Sequence, residues 1–239
     1  MKTVVVVKPY RVELEDQEVP SPSNSEVLIK TRVSGVSPGT ELSAFRGRIS
    51  NLTAKDFKKY PVLHHYPLYP GYGNCGEIVE MGKDVKGFEV GDRVISIGNH
   101  SEYVCLSTSC EQGWRGFTRV PDGVSEEEAT LAVLGTTTSH AVRRAEIEYG
   151  DNVVTIGDGV LGLLSLLHAR NVGAEKVIVI GHHRFRLDIA DKMGAEVVIN
   201  SREEDIEERV FEATGGIGAD VYELIDRGSN DFLQIILAY

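Results

Sequence analysis

The sequence predicts an α/β protein in two parts, in which a front β barrel precedes a doubly wound parallel sheet. Residues 1–125 contain short alternating strands broken by Gly and Pro, a pattern typical of an all-β barrel. Residues 126–239 alternate strands with helices, which indicates βαβ units and a parallel sheet. A glycine-rich turn lies between the first strand and the first helix of that second part.

The front part begins with a strand that contains four consecutive valines, residues 4–7. This run is short and leads into charged residues, so we interpret it as a strand and not as a signal peptide. Further strands are predicted at residues 26–33, 76–80 and 91–97, where apolar and polar residues alternate near glycines. Short strands with frequent turns favour a closed or partly open barrel.

The second part begins with a helix at Ser125, because Ser125 and Glu128 form the S-x-x-E pattern of a capping box. This helix is predicted to run to about residue 148. The domains are therefore expected at residues 1–125 and 126–239. Strands and helices then alternate: strands at 152–156, 176–180, 196–199 and 220–224, and helices at 161–171, 185–193 and 203–214.

The predicted sheet has four strands, whereas a doubly wound dinucleotide-binding sheet usually has about six. The sequence therefore predicts an incomplete sheet. The last segment, residues 229–239, reads as a helix with an apolar face. An uncovered apolar face favours association, so a homo-oligomer is an expected partner arrangement.

A dinucleotide site is predicted at the turn after the strand at residues 152–156. The turn has the pattern G-x-G-x-x-G, formed by Gly157, Gly159 and Gly162 around Val160 and Leu161. The first glycine permits a tight turn, the second allows the backbone to approach a pyrophosphate, and the third allows the helix to pack on the strand. The helix N-terminus then offers N–H groups to the phosphates. The alternative is an ordinary glycine turn.

The choice of dinucleotide depends on the residues after the strand at 176–180, namely Gly181, His182, His183 and Arg184. An NAD site usually has an acidic residue there, which binds the ribose 2′-hydroxyl. The strand end has no carboxylate and an arginine follows, so the sequence favours NADP(H), with NAD(H) as the second choice. Alternatively, the arginine only solvates the start of a helix.

Charge and composition exclude several other classes of function. The chain has 25 basic and 36 acidic residues and a net charge of −11, which argues against a nucleic-acid binder or an anionic-membrane binder. No apolar run approaches the roughly 20 residues that span a bilayer. Three cysteines, Cys75, Cys105 and Cys110, are too few for a disulfide framework. The expected location is therefore the cytoplasm.

Four segments carry a resemblance to a known family: SGVSPGTELSAFRG, YPGYGNCGEIVEMGKDVKGFEVGDRV, GDNVVTIGDGVLG and GAEVVIN. They resemble the medium-chain dehydrogenases/reductases, the superfamily of zinc-type alcohol dehydrogenases, over nearly the whole chain. The resemblance implies a GroES-like barrel followed by a Rossmann domain, and hydride transfer between a nicotinamide cofactor and a small-molecule substrate. A full-length member of the family would have about a third more chain, which would complete the sheet.

The zinc positions of that family hold other residues here. Pro38 stands where zinc-dependent members have a cysteine, and Tyr72 stands where they have a histidine. The third ligand position falls near Ala132. A catalytic zinc needs three ligands from Cys, His, Asp or Glu, so we predict no zinc. The pattern is similar to that of a zinc-free subgroup of the family.

Two residues are predicted to act near the reacting oxygen. Thr40 matches the position of a proton-relay hydroxyl in the zinc-dependent members. Tyr72 takes the place of a ligand histidine, and its phenol can donate a hydrogen bond or a proton at neutral pH. Each has an alternative as an ordinary turn or cap residue.

Glu41 and Thr136 complete the candidate site. Glu41 matches an acidic position behind the metal site of the family; alternatively, it is structural and pairs with Arg46 or Arg93. Thr136 matches a residue that contacts the nicotinamide; alternatively, it only begins a helix.

The predicted activity is zinc-independent hydride transfer between NADP(H) and an alcohol or carbonyl compound. Reduction of an activated C=C bond, as in quinone or enoyl reductases of the superfamily, is the alternative within enzymes. A non-catalytic nucleotide-binding product is the alternative from another class.

Overall fold

The computed structural model describes residues 1–48, 66–108 and 116–224. The predicted tail helix at residues 229–239 and Cys110 lie outside these ranges. The chain divides into two compact units, Met1–Val133 and Leu134–Tyr239. Within the described ranges, no helix combines the length and the apolar character needed to span a bilayer.

The front unit is built from antiparallel strands, as the sequence predicts. Strands β1 (Lys2–Lys8) and β2 (Arg11–Asp16) form a two-stranded sheet. The strand β2 is not predicted as a separate strand, although Val12 and Leu14 alternate with charged residues; every side chain in this strand is exposed. The helix α1 spans Thr40–Phe45, with Gly39 as its N-cap.

A five-stranded sheet contains the strands predicted at residues 26–33, 76–80 and 91–97; Cys75 and Ile95 pack in a smaller apolar cluster, and most of its other apolar side chains pack in a larger core. Its order is β6–β3–β4–β5–β7. Val27, Ile29 and Ile78 are fully buried in that core, together with Val94. The strands are β3 (Glu26–Ser34), β4 (Asn74–Met81), β5 (Arg93–Ser96), β6 (Tyr103–Ser107) and β7 (Phe117–Arg119).

The second unit contains a parallel sheet whose described strands have the order β10–β9–β8–β11. All four strands match the predicted positions to within a residue or two: β8 (Asn152–Ile156), β9 (Lys176–Gly181), β10 (Val197–Asn200) and β11 (Val221–Leu224). Val177, Ile178, Val179 and Ile180 in β9 are all buried, because the sheet carries a separate apolar cluster on each face. Ligands bind such sheets at the carboxyl ends of the strands.

The helices after Ser125 differ from the predictions at their ends and in one break. The capping box at Ser125 is present, but the helix it starts, α2 (Glu126–Ala129), is short. The helix α3 (Ala132–Arg144) follows, so the predicted continuous run to residue 148 is wrong. The remaining helices are α4 (Val160–Val172), α5 (Arg184–Lys192) and α6 (Ile206–Ala213). The helix α6 begins three residues later than predicted, because Asp205 caps it and accepts from the N–H of Glu208.

Glu223 in β11 has a buried carboxyl group, which makes the free energy of unfolding depend on pH. Its residue is 7% exposed, its carboxyl oxygens have no hydrogen-bond partner among the described residues, and burial raises its pKa. A carboxyl whose folded-state pKa is raised favours folding most when protonated. The free energy of unfolding therefore falls as pH rises from the unfolded value near 4.5 through the raised pKa.

The variant Glu223→Gln is expected to remove this decrease of the free energy of unfolding with rising pH. At neutral pH it should increase the free energy of unfolding by on the order of 1 kcal/mol, because no charge is then buried. Urea unfolding at several pH values measures the effect. The exposed Glu175→Gln is the matched control and should leave the slope unchanged. A Glu223→Gln protein with the wild-type pH slope would contradict the assignment.

Candidate active site

The glycine turn joins β8 to α4 with the geometry that the pattern predicts. Gly157 has φ of +126°, a conformation that side chains other than glycine's rarely adopt. Gly159 is the N-cap of α4, and an added Cβ there would meet nothing within 4 Å. Gly162 lies against the turn, where an added Cβ would come within 1.8 Å of the Gly157 carbonyl oxygen. Gly162 therefore allows α4 to pack closely on the turn, and Gly159 leaves open space at the start of the helix.

A pocket of about 170 Å³ opens beside this turn. It lies at the carboxyl ends of β8 and β9, where doubly wound sheets bind nucleotides. The lining residues include Gly157, Asp158, Gly181, His182, His183 and Arg186. Val160 and Leu161 begin α4, whose first N–H groups have no acceptor within the helix and can bind phosphate.

The side chain of Asp158, the second residue of the glycine pattern, reaches the end of β9. Its carboxylate accepts the backbone N–H groups of His182 at 2.9 Å and His183 at 2.7 Å. The His183 ring lies 3.1 Å away, and the Arg186 guanidinium lies at 3.4 Å. Burial acts to raise the pKa of Asp158, but the backbone and ring hydrogen bonds outweigh burial and lower it. Asp158 is therefore an ionised, buried anchor for the turn after β9.

The end of β9 thus receives a carboxylate from another segment. An added Cβ on Gly181 would come within 2.4 Å of the Asp158 Cβ, so Asp158 fills the space that a side chain at position 181 would occupy. The strand end has no carboxylate of its own, as the sequence indicates, but Asp158 of the glycine turn places one beside it.

Arg184 is the first residue of α5, and its side chain is 78% exposed. It donates to Glu203 at 2.5 Å, a surface ion pair of the kind that contributes only about 0–1 kcal/mol. The side chains of Arg186 and His183 are half-exposed beside it. The Arg186 guanidinium is therefore the cation that contacts the Asp158 carboxylate, while Arg184 pairs with Glu203.

Asp158, His182 and His183 also bring ligand-type atoms within 4.8 Å of one another. The carboxylate is already bonded to two N–H groups and contacts Arg186, a cation that would repel a metal. The donor chemistry of this cluster is therefore that of a hydrogen-bonded anchor.

In the front unit, Glu41 pairs with a residue that the sequence analysis does not single out. Its carboxylate lies 2.7 Å from His100 Nε2 and accepts the Ser37 backbone N–H at 2.6 Å. The other ring nitrogen, His100 Nδ1, lies 2.9 Å from Ser34 Oγ. Glu41 and His100 are each 7% exposed. The alternative pairing of Glu41 with Arg46 or Arg93 is therefore wrong, since His100 takes that place.

The other predicted residues lie on separate elements. Thr40 is the first residue of α1, directly before Glu41, and Tyr72 is half-buried just before β4. Thr136 lies inside α3 and not at its start, and its side chain is exposed. Of the predicted catalytic residues, Thr40 and Glu41 are adjacent in sequence at the start of α1.

The residues at the family's zinc positions do not fit a catalytic zinc. Pro38, Tyr72 and Ala132 supply none of the usual ligand types. The nearby ligand-type groups, Glu41 and His100, are bonded to each other. Burial and Glu26 raise the pKa of Cys105 to about 11, which disfavours its thiolate.

Two family models match the chain. Residues 23–147 match the alcohol dehydrogenase GroES-like domain, and residues 160–226 match the zinc-binding dehydrogenase domain. An alcohol dehydrogenase of Geobacillus stearothermophilus is 30% identical over 94% of this chain and 71% of its own. An L-threonine 3-dehydrogenase of Pyrococcus horikoshii is 31% identical over 93% of this chain and 68% of its own.

A solved structure agrees in fold. Alcohol dehydrogenase from Thermus sp. ATN1 superposes with a TM-score of 0.77 at 21% identity, covering 99% of this chain and 73% of its own. The chain spans between 64% and 71% of the length of the curated relatives. The predicted GroES-like domain and Rossmann sheet are confirmed. The chain belongs to the medium-chain dehydrogenase/reductase superfamily, among the alcohol dehydrogenase-like oxidoreductases.

Proposed function

We propose that the protein transfers a hydride between NADP(H) and a small alcohol or carbonyl compound, without zinc. The observation that carries this proposal is the glycine turn, in which Gly159 leaves open space at the N-terminus of α4 beside a pocket. Relatives named as alcohol, sorbitol and L-threonine dehydrogenases support an alcohol as the reduced substrate.

The two parts of the chain have different tasks in this proposal. Residues 126–239 hold the dinucleotide, with its pyrophosphate at Gly157–Gly162 and its adenosine ribose near Gly181 and His182. Residues 1–125 contact the substrate, where the hydroxyls of Thr40 and Tyr72 hydrogen-bond the reacting oxygen. Thr136 contributes a contact to the nicotinamide. The bound nicotinamide supplies the hydride chemistry, and the protein supplies position and proton transfer.

The preference for NADP(H) rests on the charges around the ribose position. Arg184 and Arg186 are cations with exposed surface. Asp158, the buried carboxylate at this position, already accepts several hydrogen bonds. A 2′-phosphate would gain charge-assisted hydrogen bonds from the arginines. The Asp158 carboxylate favours NAD(H), the second candidate, because it stands at the usual place of the ribose-binding acid.

The variant Arg184→Asp is expected to weaken NADPH binding by about 10- to 100-fold, the loss of one charge-assisted hydrogen bond, while NADH binding changes little. Fluorescence titration with both cofactors measures this ratio. The exposed Arg143→Asp on α3 carries the same charge change as a control. Equal losses of affinity for NADPH and NADH would contradict the preference for NADP(H).

Activity is tested with ethanol, sorbitol and L-threonine as reductants, and with NADP+ and NAD+ as acceptors. Reduced cofactor should form with at least one pair, and treatment with a chelator should leave the rate unchanged. A rate that falls on chelation and returns with Zn²⁺ would contradict zinc independence. Cyclohex-2-en-1-one reduction in place of alcohol oxidation would favour the C=C reductase alternative. Cofactor binding without any turnover would favour the non-catalytic one.

We further propose a homo-oligomer in a reducing cytoplasm, where the thiols of Cys75 and Cys105 stay free. Light scattering on the purified chain measures its mass directly. A monomer at micromolar concentration would contradict the homo-oligomer.

A further inference from the structure

The strand β2 carries exposed apolar side chains that the function described so far does not use. Val12 and Leu14 alternate with charged residues along this strand, and they are 50% and 65% exposed. They lie on one face of the two-stranded sheet, paired with Val6 and Val4 of β1. Solvent-facing positions of antiparallel strands are usually polar, and edge strands are usually shielded from further pairing. Exposed apolar residues on an edge strand therefore indicate an interaction surface.

The backbone groups of the same two residues point away from β1. The N–H groups of Val4 and Val6 each donate at 2.8 Å to a carbonyl outside β2. At such a non-hydrogen-bonded position of an antiparallel pair, both residues turn their N–H and C=O groups outward. Their partners Leu14 and Val12 therefore present these groups at the outer edge of β2. Among the described strands β1 alone pairs with β2, so this edge is open.

A second copy of the chain fits this edge in one register. In a two-fold antiparallel pairing, the outward groups of one β2 meet those of the other, and facing side chains share one side of the sheet. When Val12 faces Leu14 of the copy, Arg11 faces Glu15 on both sides of the axis, and these opposite charges attract. Glu13 then faces its own copy on the axis, where Arg11 of the same strand already pairs with it.

The two neighbouring registers are less favourable. With Leu14 facing Leu14, Glu13 would face Glu15 of the copy on both sides of the axis, and like charges in facing positions repel. With Val12 facing Val12, the pairing would have to extend to Tyr10, whose φ of +62° is not that of a strand. Charge and backbone geometry therefore favour the same register.

We propose that the outer edge of β2 is an interface between two copies of the chain, paired across a two-fold axis with Val12 facing Leu14. This rests on the homo-oligomer of the proposed function and names a surface that forms it. The two-stranded sheets of both copies then make one continuous sheet, and their exposed apolar side chains form one stripe. Strand pairing of this kind takes its affinity from main-chain hydrogen bonds and its specificity from the side chains.

Mixing two charge-reversal variants tests this register. Arg11→Glu should weaken the dimer by about tenfold, because both attractive pairs become repulsive, and Glu15→Arg should do the same. An equimolar mixture of the two variants should recover nearly the wild-type affinity, since each reversed charge then faces its opposite in the other chain. Sedimentation equilibrium of the full chain measures these affinities, with the exposed Arg143→Glu as the control for charge alone. A mixture that associates as weakly as the single variants would overturn the proposal.

Disulfide formation tests the same register without a reversal of charge. The backbone groups of Glu13 point toward β1, so the two Glu13 residues would face each other at a non-hydrogen-bonded position. The Cα atoms at such a position lie about 4.5 Å apart, a distance that a disulfide can bridge. Glu13→Cys should therefore form a linked dimer on mild oxidation, whereas Glu15→Cys, which faces Arg11, should not. The wild-type chain controls for the native cysteines, and equal linking of both variants would overturn the register.

The outcomes separate this interface from the homo-oligomer on which it rests. A wild-type chain that oligomerises, with both charge-reversal variants equally associated, would overturn the β2 interface and leave the homo-oligomer standing. A wild-type chain that stays monomeric would overturn both, and would leave the edge for a strand of another protein. Hydride transfer is tested separately, by the activity measurements with alcohols.

Discussion

Alanine in place of Gly162 is expected to destabilise the second unit severely, whereas alanine in place of Gly159 is expected to weaken cofactor binding without unfolding that unit. The added Cβ at position 162 would overlap the Gly157 carbonyl oxygen, which is backbone and cannot swing aside. Forcing α4 away from β8 should lower the free energy of unfolding by about 3 kcal/mol or more. Urea unfolding followed by circular dichroism measures this loss.

Gly159→Ala is expected to affect cofactor binding and to have little effect on stability. Its φ of −82° suits alanine, and the new methyl group meets no protein atom. The free energy of unfolding should fall by only about 1 kcal/mol, because alanine is a poorer N-cap than glycine but introduces no clash. The methyl would stand where the backbone must approach the pyrophosphate, so NADPH and NADH should both bind at least tenfold more weakly. Normal folding of Gly162→Ala together with normal binding by Gly159→Ala would refute this division of roles.

Asp158→Asn is expected to change acid stability and cofactor preference together. The lowered pKa of Asp158 means that its ionised form stabilises the fold above the ordinary value of 3.8. That contribution is lost as pH falls through the lowered folded-state pKa. The asparagine variant should be less stable at neutral pH by about 1–3 kcal/mol, because charged hydrogen bonds to the turn become neutral, and its acid-dependent slope should be smaller.

The same variant should raise NADPH affinity relative to NADH affinity, since it removes the negative charge beside the ribose position. Asp188→Asn, on the same helix as Arg184, is the control for a change of charge alone and should leave the cofactor ratio as in wild type. A cofactor ratio that moves toward NADH in Asp158→Asn would show that Asp158 acts only by holding the cationic side chains.

Local patterns in the sequence predict the second unit well. The strand, glycine turn and helix at residues 152–172 are recognisable because the apolar period and the glycine spacing lie within one short segment. The capping box at Ser125 is equally local. The helix after it is shorter than predicted. The helical pattern of the sequence continues across Thr130 and Leu131, whereas the helix itself ends at Ala129 and the next begins at Ala132.

Pairings between distant segments could not be predicted in the same way. His100 lies 59 residues from Glu41, and no periodicity connects the two. Asp158 lies 24 residues from His182, and its direction depends on the turn geometry. Two signals pointed to the second pairing alone: an acidic residue, Asp158, inside the glycine pattern, and a glycine at position 181, where an acidic residue is usual. Together they indicate that the Asp158 carboxylate takes the place of an acidic side chain at position 181.

The close approach of Gly181 and Asp158 limits the order in which cofactor preference can be re-engineered. A carboxylate introduced by Gly181→Asp collides with Asp158 and should yield an unstable protein, although each residue is acceptable at such a site on its own. After Asp158→Gly, the same change has room. The two positions are therefore epistatic, and any route to a strand-end acid must pass through a protein that has no acid at either position.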